Sequence, residues 1–130
     1  MIVRNVKDLY GTPRDVRSGA WRSLRLLLAA DGAGFSFHIT AVEAGAELPM
    51  QYTNHIESVY CISGEGSVEE CATGRRHEVA PGVLYVLDRN DRHVLRARSP
   101  LVLACVFQPA LHGPEIHDEN GSYPESGVAS

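Results

Sequence analysis

The spacing of apolar residues most limits what this chain can fold into. Short runs rich in Val, Ile, Leu and Tyr recur between Gly, Pro, Asn and Asp breakers, and no stretch keeps a helical period over three turns. Strands are therefore expected at 23–28, 35–42, 58–62, 67–71, 77–79, 84–87, 93–97 and 101–107. Their connections carry turn chemistry, as in Asp31-Gly32-Ala33-Gly34, Ser63-Gly64-Glu65-Gly66, Pro81-Gly82 and Asp88-Arg89-Asn90-Asp91. About eight short antiparallel strands predict an all-β jelly-roll barrel, with one brief helical turn at 6–10 that Gly11 and Pro13 stop. After Pro109 the composition turns to Gly, Pro, His, Glu and Ser. Residues 111–130 are accordingly expected as a flexible C-terminal tail, with a lid over a pocket as the alternative.

Composition narrows the function classes. A chain of 130 residues, 44% hydrophobic, supports one core, so 1–130 is expected to be one domain. Twelve Lys and Arg against 16 Asp and Glu give a net charge of −4, which offers no basic field for nucleic acid. The longest apolar run, at 26–30, falls far short of the roughly 20 residues of a membrane-spanning helix, so no membrane partner is expected. The opening Met1-Ile2-Val3-Arg4-Asn5-Val6-Lys7-Asp8 mixes charge into its first turn without an apolar export core, from which a cytoplasmic location is expected. Cys61, Cys71 and Cys105 contain no Cys-x-x-Cys pair and are expected as reduced thiols, the first and last behaving as small hydrophobes.

The spacing Gly45-x5-Gln51-x-Thr53-x3-Glu57-x6-Gly64 resembles the first motif of the cupin superfamily, with Gln51 and Thr53 standing where that motif holds histidines. Gly82-x5-Asp88-x-Asn90-x2-His93 keeps the length of the second motif and its histidine, while Asp88 and Asn90 replace its Pro and second Gly. Glu57 and His93 thus survive from the usual ligand set, and a metal would need a further ligand. Strand alternation over 83–87 puts Tyr85 on one face with Val83 and Leu87, toward the lumen of a barrel. Two oxygens and an imidazole suit Fe(II) or Mn(II), with zinc left open. The same parity groups Trp21, Ser23 and Arg25 on one face and Leu24, Leu26 and Leu28 on the other; His38 pairs with Thr40, and Cys105 with Phe107. Arg25 reads either as a surface ion-pair residue or as a fork for a substrate carboxylate, and Trp21 as core or as a wall for a ligand. The outward leucines predict a homodimer.

Several blocks together resemble the ectoine synthase family almost end to end. They are Met1-Ile2-Val3-Arg4-Asn5, the run from Asp31 to Thr40, Asn54-His55-Ile56-Glu57-Ser58-Val59-Tyr60-Cys61-Ile62, Ala104-Cys105-Val106-Phe107, Glu115-Ile116-His117-Asp118-Glu119 and Gly121-Ser122-Tyr123-Pro124. The resemblance implies a small-molecule substrate, N-γ-acetyl-L-2,4-diaminobutyrate, closed with loss of water into the compatible solute ectoine. It implies Glu57, Tyr85 and His93 as ligands of Fe(II), or of another divalent metal. It further implies a pocket of Trp21, Ser23, Arg25, Thr40 and Phe107 for substrate, with Tyr52, His55, Glu115 and His117 as candidates for catalysis. The proton transfers need a group with a pKa near neutral, and Glu115 acting with His117 is the preferred pair. Gln51 departs from the family, which commonly holds a histidine there, and altered tuning is expected before loss of metal. The alternative function is a cupin that acts on or senses another small carboxylate solute.

Overall fold

A computed structural model describes residues 1–117 and 121–123. Within them lie ten strands: β1 (Asp15–Ser18), β2 (Trp21–Leu27), β3 (Ser36–Val42), β4 (Glu47–Met50), β5 (Ile56–Ser63), β6 (Gly66–Glu70), β7 (Arg76–Val79), β8 (Leu84–Leu87), β9 (His93–Ala97) and β10 (Leu101–Gln108). All pairings are antiparallel. They form a six-stranded sheet ordered β1-β2-β3-β10-β5-β8 and a four-stranded sheet ordered β4-β9-β6-β7, packed as the two walls of a cupin-type barrel.

The eight expected strands are present, with β8 and β9 ending at the expected residues. Two further strands escaped the pattern. Asp-Val-Arg-Ser in β1 buries only Val16, and β4 contains Pro49, which cannot donate to a ladder and is tolerated because β4 lies at a sheet edge. The early helical turn is a 3-10 turn at Val6–Asp8, and a second follows at Ala29–Asp31.

Period-two burial builds the core. In the central strand β10, Leu101, Leu103, Cys105 and Phe107 point inward while Val102, Ala104 and Val106 point out. One expectation of parity is corrected on β2. A bulge between Arg25 and Leu27 inserts Leu26 as an extra residue, so that Leu28 rejoins the core with Trp21 instead of sharing an outer face with Leu24. The large apolar outer surface lies elsewhere on the same sheet. Ile56, Tyr60 and Ile62 of β5 and Leu84 and Val86 of β8 are exposed there, with Tyr60 in register with both Ala104 and Leu84.

The segment after β10 packs over the barrel. Leu111 is buried and exchanges hydrogen bonds with Ser36 Oγ and the Ala29 amide, while Ser122 and Tyr123 are buried against the loop before β5. The matches at Asp118, Glu119 and Pro124, and the end of the tail at 124–130, lie outside the described residues.

Ion pairs fasten the opening segment. Arg4 and Arg14 converge on Asp31, at 2.8 and 3.1 Å. Across β1 and β2, Arg22 donates to Asp15 from Nε at 2.8 Å and Nη2 at 2.5 Å, and the Gly11 amide adds a bond of 2.9 Å. The Arg22 hydrogen bonds, then that of Gly11, hold the Asp15 pKa down to about 2. A folded-state pKa below the unfolded one contributes stability that is present above the ordinary carboxylate value and is lost as pH falls through the folded value. Asp15→Asn is therefore expected to melt below the wild type at pH 7, with the two melting points converging from roughly pH 4 downward. Circular dichroism melts would show this, and a gap that stays constant down to pH 2 would refute it.

Candidate functional site

Inward-facing residues of seven strands and the closing segment line one cavity in the barrel, with Leu48 and Met50 of β4 and Leu95 of β9 on its apolar side. Trp21 and Ser23 come from β2, His38 and Thr40 from β3, Glu57 from β5, Tyr85 from β8, and Cys105 and Phe107 from β10. Tyr52, His117 and Tyr123 close it. The register explains the grouping, since Glu57 lies opposite Phe107 on one side and Leu87 on the other, with Val59 opposite Tyr85. Glu57 and Tyr85 are thus diagonal neighbours on one face of adjacent strands.

His93 enters from the facing sheet, on β9. Its Nδ1 lies 2.8 Å from the Asp91 carbonyl, an acceptor only, so Nδ1 carries the proton and donates it. Nε2 is left with its lone pair and no hydrogen-bond partner, in a side chain only 1% exposed. A ring fixed in this way by a backbone carbonyl is prepared to ligate a metal. Among the described residues no group of three His, Cys, Asp or Glu side chains converges. A metal here therefore needs a ligand of another type, which is what Tyr85 offers. Burial pushes the Glu57 pKa up to about 8, partly offset by a hydrogen bond from the Cys105 thiol, and burial and the Glu57 charge raise the Tyr85 pKa well above the phenol range. A nearby dication would favour the ionised form of both groups. The carboxylate, phenolate and imidazole set fits a divalent ion of the Fe(II) or Mn(II) kind.

Arg25 lies behind the cavity wall, fully buried and bonded to the lining residue Ser23. Its Nη1 donates to the Gly113 carbonyl at 2.5 Å and sits 4.0 Å from Glu115, and its Nε donates to Ser23 Oγ at 3.3 Å. Nη2 has no partner. Burial lowers the Arg25 pKa, opposed by Tyr123 and Glu115. Glu115 is committed elsewhere in part, accepting the His112 and Gly113 amides at 2.6 Å each. Burial opposes its ionisation, but these amides and Arg25 prevail and hold its pKa below the ordinary value. Glu115 is consequently a carboxylate at neutral pH, suited to holding charge more than to donating a proton.

Tyr52 is buried, and burial keeps it a neutral phenol. Its hydroxyl lies 2.8 Å from His117 Nε2, so one proton bridges the pair, while its ring stacks on Tyr123. His117 also meets the edge of Trp21 at 5.3 Å. His55 stands behind this group, packed edge-on against Phe107 and Tyr123, and burial lowers its pKa.

The cavity thus brings together Trp21, Ser23, Thr40, Tyr52, Glu57, Tyr85, Phe107 and His117 among the residues expected from sequence, with Arg25, His55, His93 and Glu115 outside its wall. Sequence reasoning did not place His38, Cys105 or Tyr123 in the site. The first two had a signal, since they share faces with Thr40 and Phe107. Tyr123 had none, because no strand period runs through it. Gln51 does not line the cavity; its Nε2 donates to the Asn90 carbonyl, 3.1 Å away, in the loop that carries His93. Asn90, where the cupin motif has glycine, adopts the left-handed φ of 54° that glycine would supply.

Comparison with known proteins gives the family of the chain. A family model described as ectoine synthase matches residues 1–127. L-ectoine synthase of Hyphomonas neptunium is 54% identical over 126 residues, covering 95% of this chain and 93% of that protein. The enzyme of the same name from Hahella chejuensis is 55% identical over 124 residues, with 95% and 94% covered. The crystal structure of ectoine synthase from P. lautus superposes with a TM-score of 0.87 at 42% identity, over 100% of this chain and 96% of that one.

Proposed function

Because the chain belongs to the ectoine synthase family, we propose that it closes N-γ-acetyl-L-2,4-diaminobutyrate into ectoine inside the barrel, with Glu57, Tyr85 and His93 holding a divalent metal, Fe(II) by preference. One observation carries the reading: the anion holder and the metal ligand that such a cyclase needs are both buried with one nitrogen unpaired, Arg25 Nη2 and His93 Nε2.

The chemistry sets the residue roles. The α-ammonium loses a proton, its nitrogen attacks the acetamide carbon, and a C–N bond forms. The carbonyl oxygen then leaves as water with two protons that began on that nitrogen. A bound divalent ion would supply Lewis acidity for the carbonyl oxygen. Arg25 accepts the substrate carboxylate on its free Nη2 and so completes a guanidinium that is otherwise under-satisfied. Trp21 and Phe107 wall the chain into a folded, ring-like conformer, and Ser23 and Thr40 offer hydroxyls along the same wall. The hydrogen-bonded Tyr52 and His117 move the protons, His117 receiving one from the ammonium. Glu115 replaces its expected acid/base part with that of counter-charge to Arg25 and anchor of the turn at 112–115. His55 orients Phe107 and Tyr123 from behind. Tyr123 and the covering segment keep bulk water off the amidine, which water would otherwise hydrolyse.

Production of a compatible solute points to a role in osmotic stress and to a cytoplasmic location. Three free cysteines fit a reducing compartment, and no helix among the described residues is long and apolar enough to cross a membrane. The homodimer, expected from leucines of β2, is better supported on the outer face of β5 and β8. Tyr60 and Leu84, 46% and 59% exposed, lie side by side there next to the half-buried outer residues of β10. A second copy on this face would cover an apolar surface that monomers seldom leave open.

Anaerobic assays with Fe(II) and substrate, followed by chromatography, are expected to give metal-dependent ectoine, and product at an equal rate in rigorously metal-free protein would overturn the metal reading. Arg25→Lys, which keeps the charge and loses the fork, is expected to raise KM about tenfold to a hundredfold, whereas an unchanged KM would remove Arg25 from carboxylate binding. For the dimer, Leu84→Glu is expected to sediment as a monomer while Leu26→Glu stays dimeric; a dimeric Leu84→Glu would place the contact elsewhere.

A further inference from the structure

The barrel has a second opening, away from the covered end of its lumen. β8 ends the six-stranded sheet and β7 ends the four-stranded one, so the wall between them is not closed by a ladder. A crevice enters at this seam. It is lined by Glu70, His77, Asp88 and Asp91, and also by Tyr85 and by the buried His93 with its unpaired Nε2. Glu70 and His77 are bonded to each other at 2.6 Å and both remain substantially exposed. Asp91 turns one carboxylate oxygen to the Arg89 amide, 3.2 Å away, and its backbone carbonyl holds His93. Tyr85 borders both this crevice and the substrate cavity.

The two approaches to the same ligands differ in charge. From the substrate end, a cation would pass the ring group of Tyr52, His117 and Tyr123 and the buried Arg25 guanidinium, which lies 5.7 Å from the Tyr123 ring and is balanced by Glu115 at 4.0 Å. From the seam it would meet three carboxylates, Glu70, Asp88 and Asp91, against Arg89 and against His77, which is bonded to Glu70. A cleft of one sign between low-dielectric walls concentrates the opposite ion and raises its entry rate.

We infer that the seam between β7 and β8 is the loading route for the divalent metal, with Glu70, Asp88 and Asp91 as its cation-collecting rim, separate from the route taken by substrate. The inference rests on the reading of Glu57, Tyr85 and His93 as the metal site. Its consequence is that metal enters and leaves while the substrate cavity is filled.

Stopped-flow uptake of Fe(II) under anaerobic conditions tests this in the full-length protein, read as quenching of Trp21, the only tryptophan. Saturating ectoine is expected to leave the uptake rate within about twofold. Glu70→Gln combined with Asp88→Asn is expected to slow uptake several-fold at unchanged final stoichiometry, and Arg89→Glu to speed it, as steering by rim charge requires. A ferrozine measurement of iron released at equilibrium gives the stoichiometry independently of quenching. The route stands only if uptake persists with ectoine bound and follows the rim charge; failure of either overturns it while leaving the metal site intact. Absence of one iron per chain in the wild type, or its retention in a folded Glu57→Ala and His93→Ala pair, overturns the metal reading and the route with it.

Discussion

The costliest feature of this small barrel is a guanidinium with no exposure to water. Taking an ion of that kind out of solvent costs several kcal/mol unless its hydrogens find acceptors. The structure supplies them for Arg25 from the Gly113 carbonyl, Ser23 Oγ and the nearby Glu115 carboxylate. Glu115 in turn draws the amides of His112 and Gly113 onto itself. The segment that covers the lumen is thereby tied to the group proposed to hold the substrate carboxylate. Filling Arg25 Nη2 with an anion would tighten the same cluster that keeps water out, so binding and closure share one set of contacts.

Glu57 and Tyr85, on the same sheet as Arg25, and His93, on the facing sheet, pose the same problem with the opposite sign. Buried carboxyl and phenol groups are pushed toward their neutral forms, and a buried imidazole loses its proton more readily. A divalent ion bound there would reverse the first two shifts and accept the lone pair of the third. Under the proposed function, the zwitterionic substrate would fold back on itself between this group and Arg25.

Where alternation runs unbroken, the sequence was enough. Tyr85 could be assigned to the lumen from its parity with Val83 and Leu87, and β8 and β9 could be bounded to the residue. Alternation failed where the backbone broke step. The bulge at Leu26 returned Leu28 to the core, and the apolar outer face proved to lie on β5 and β8, whose exposed residues read as ordinary strand composition. β1 and β4 bury too little of themselves to be seen. Tyr123 reaches the cavity through a long excursion of the chain, which no local pattern encodes. Gln51 and Asn90, two of the four departures from the cupin motifs, meet each other in one hydrogen bond outside the cavity. That contact ties the loop before His93 to the end of β4.

The central claim is that a tyrosine, a glutamate and a histidine hold the metal, and Tyr85 is its most distinctive member. Loading the protein with Fe(II) and then oxidising it to Fe(III) with ferricyanide, followed by visible absorption after desalting, tests that directly. A phenolate bound to ferric iron gives an intense charge-transfer band. The account predicts this band in the wild type and in Tyr52→Phe, and its loss in Tyr85→Phe. No band in the wild type at full iron occupancy, or a band that survives in Tyr85→Phe, would contradict it.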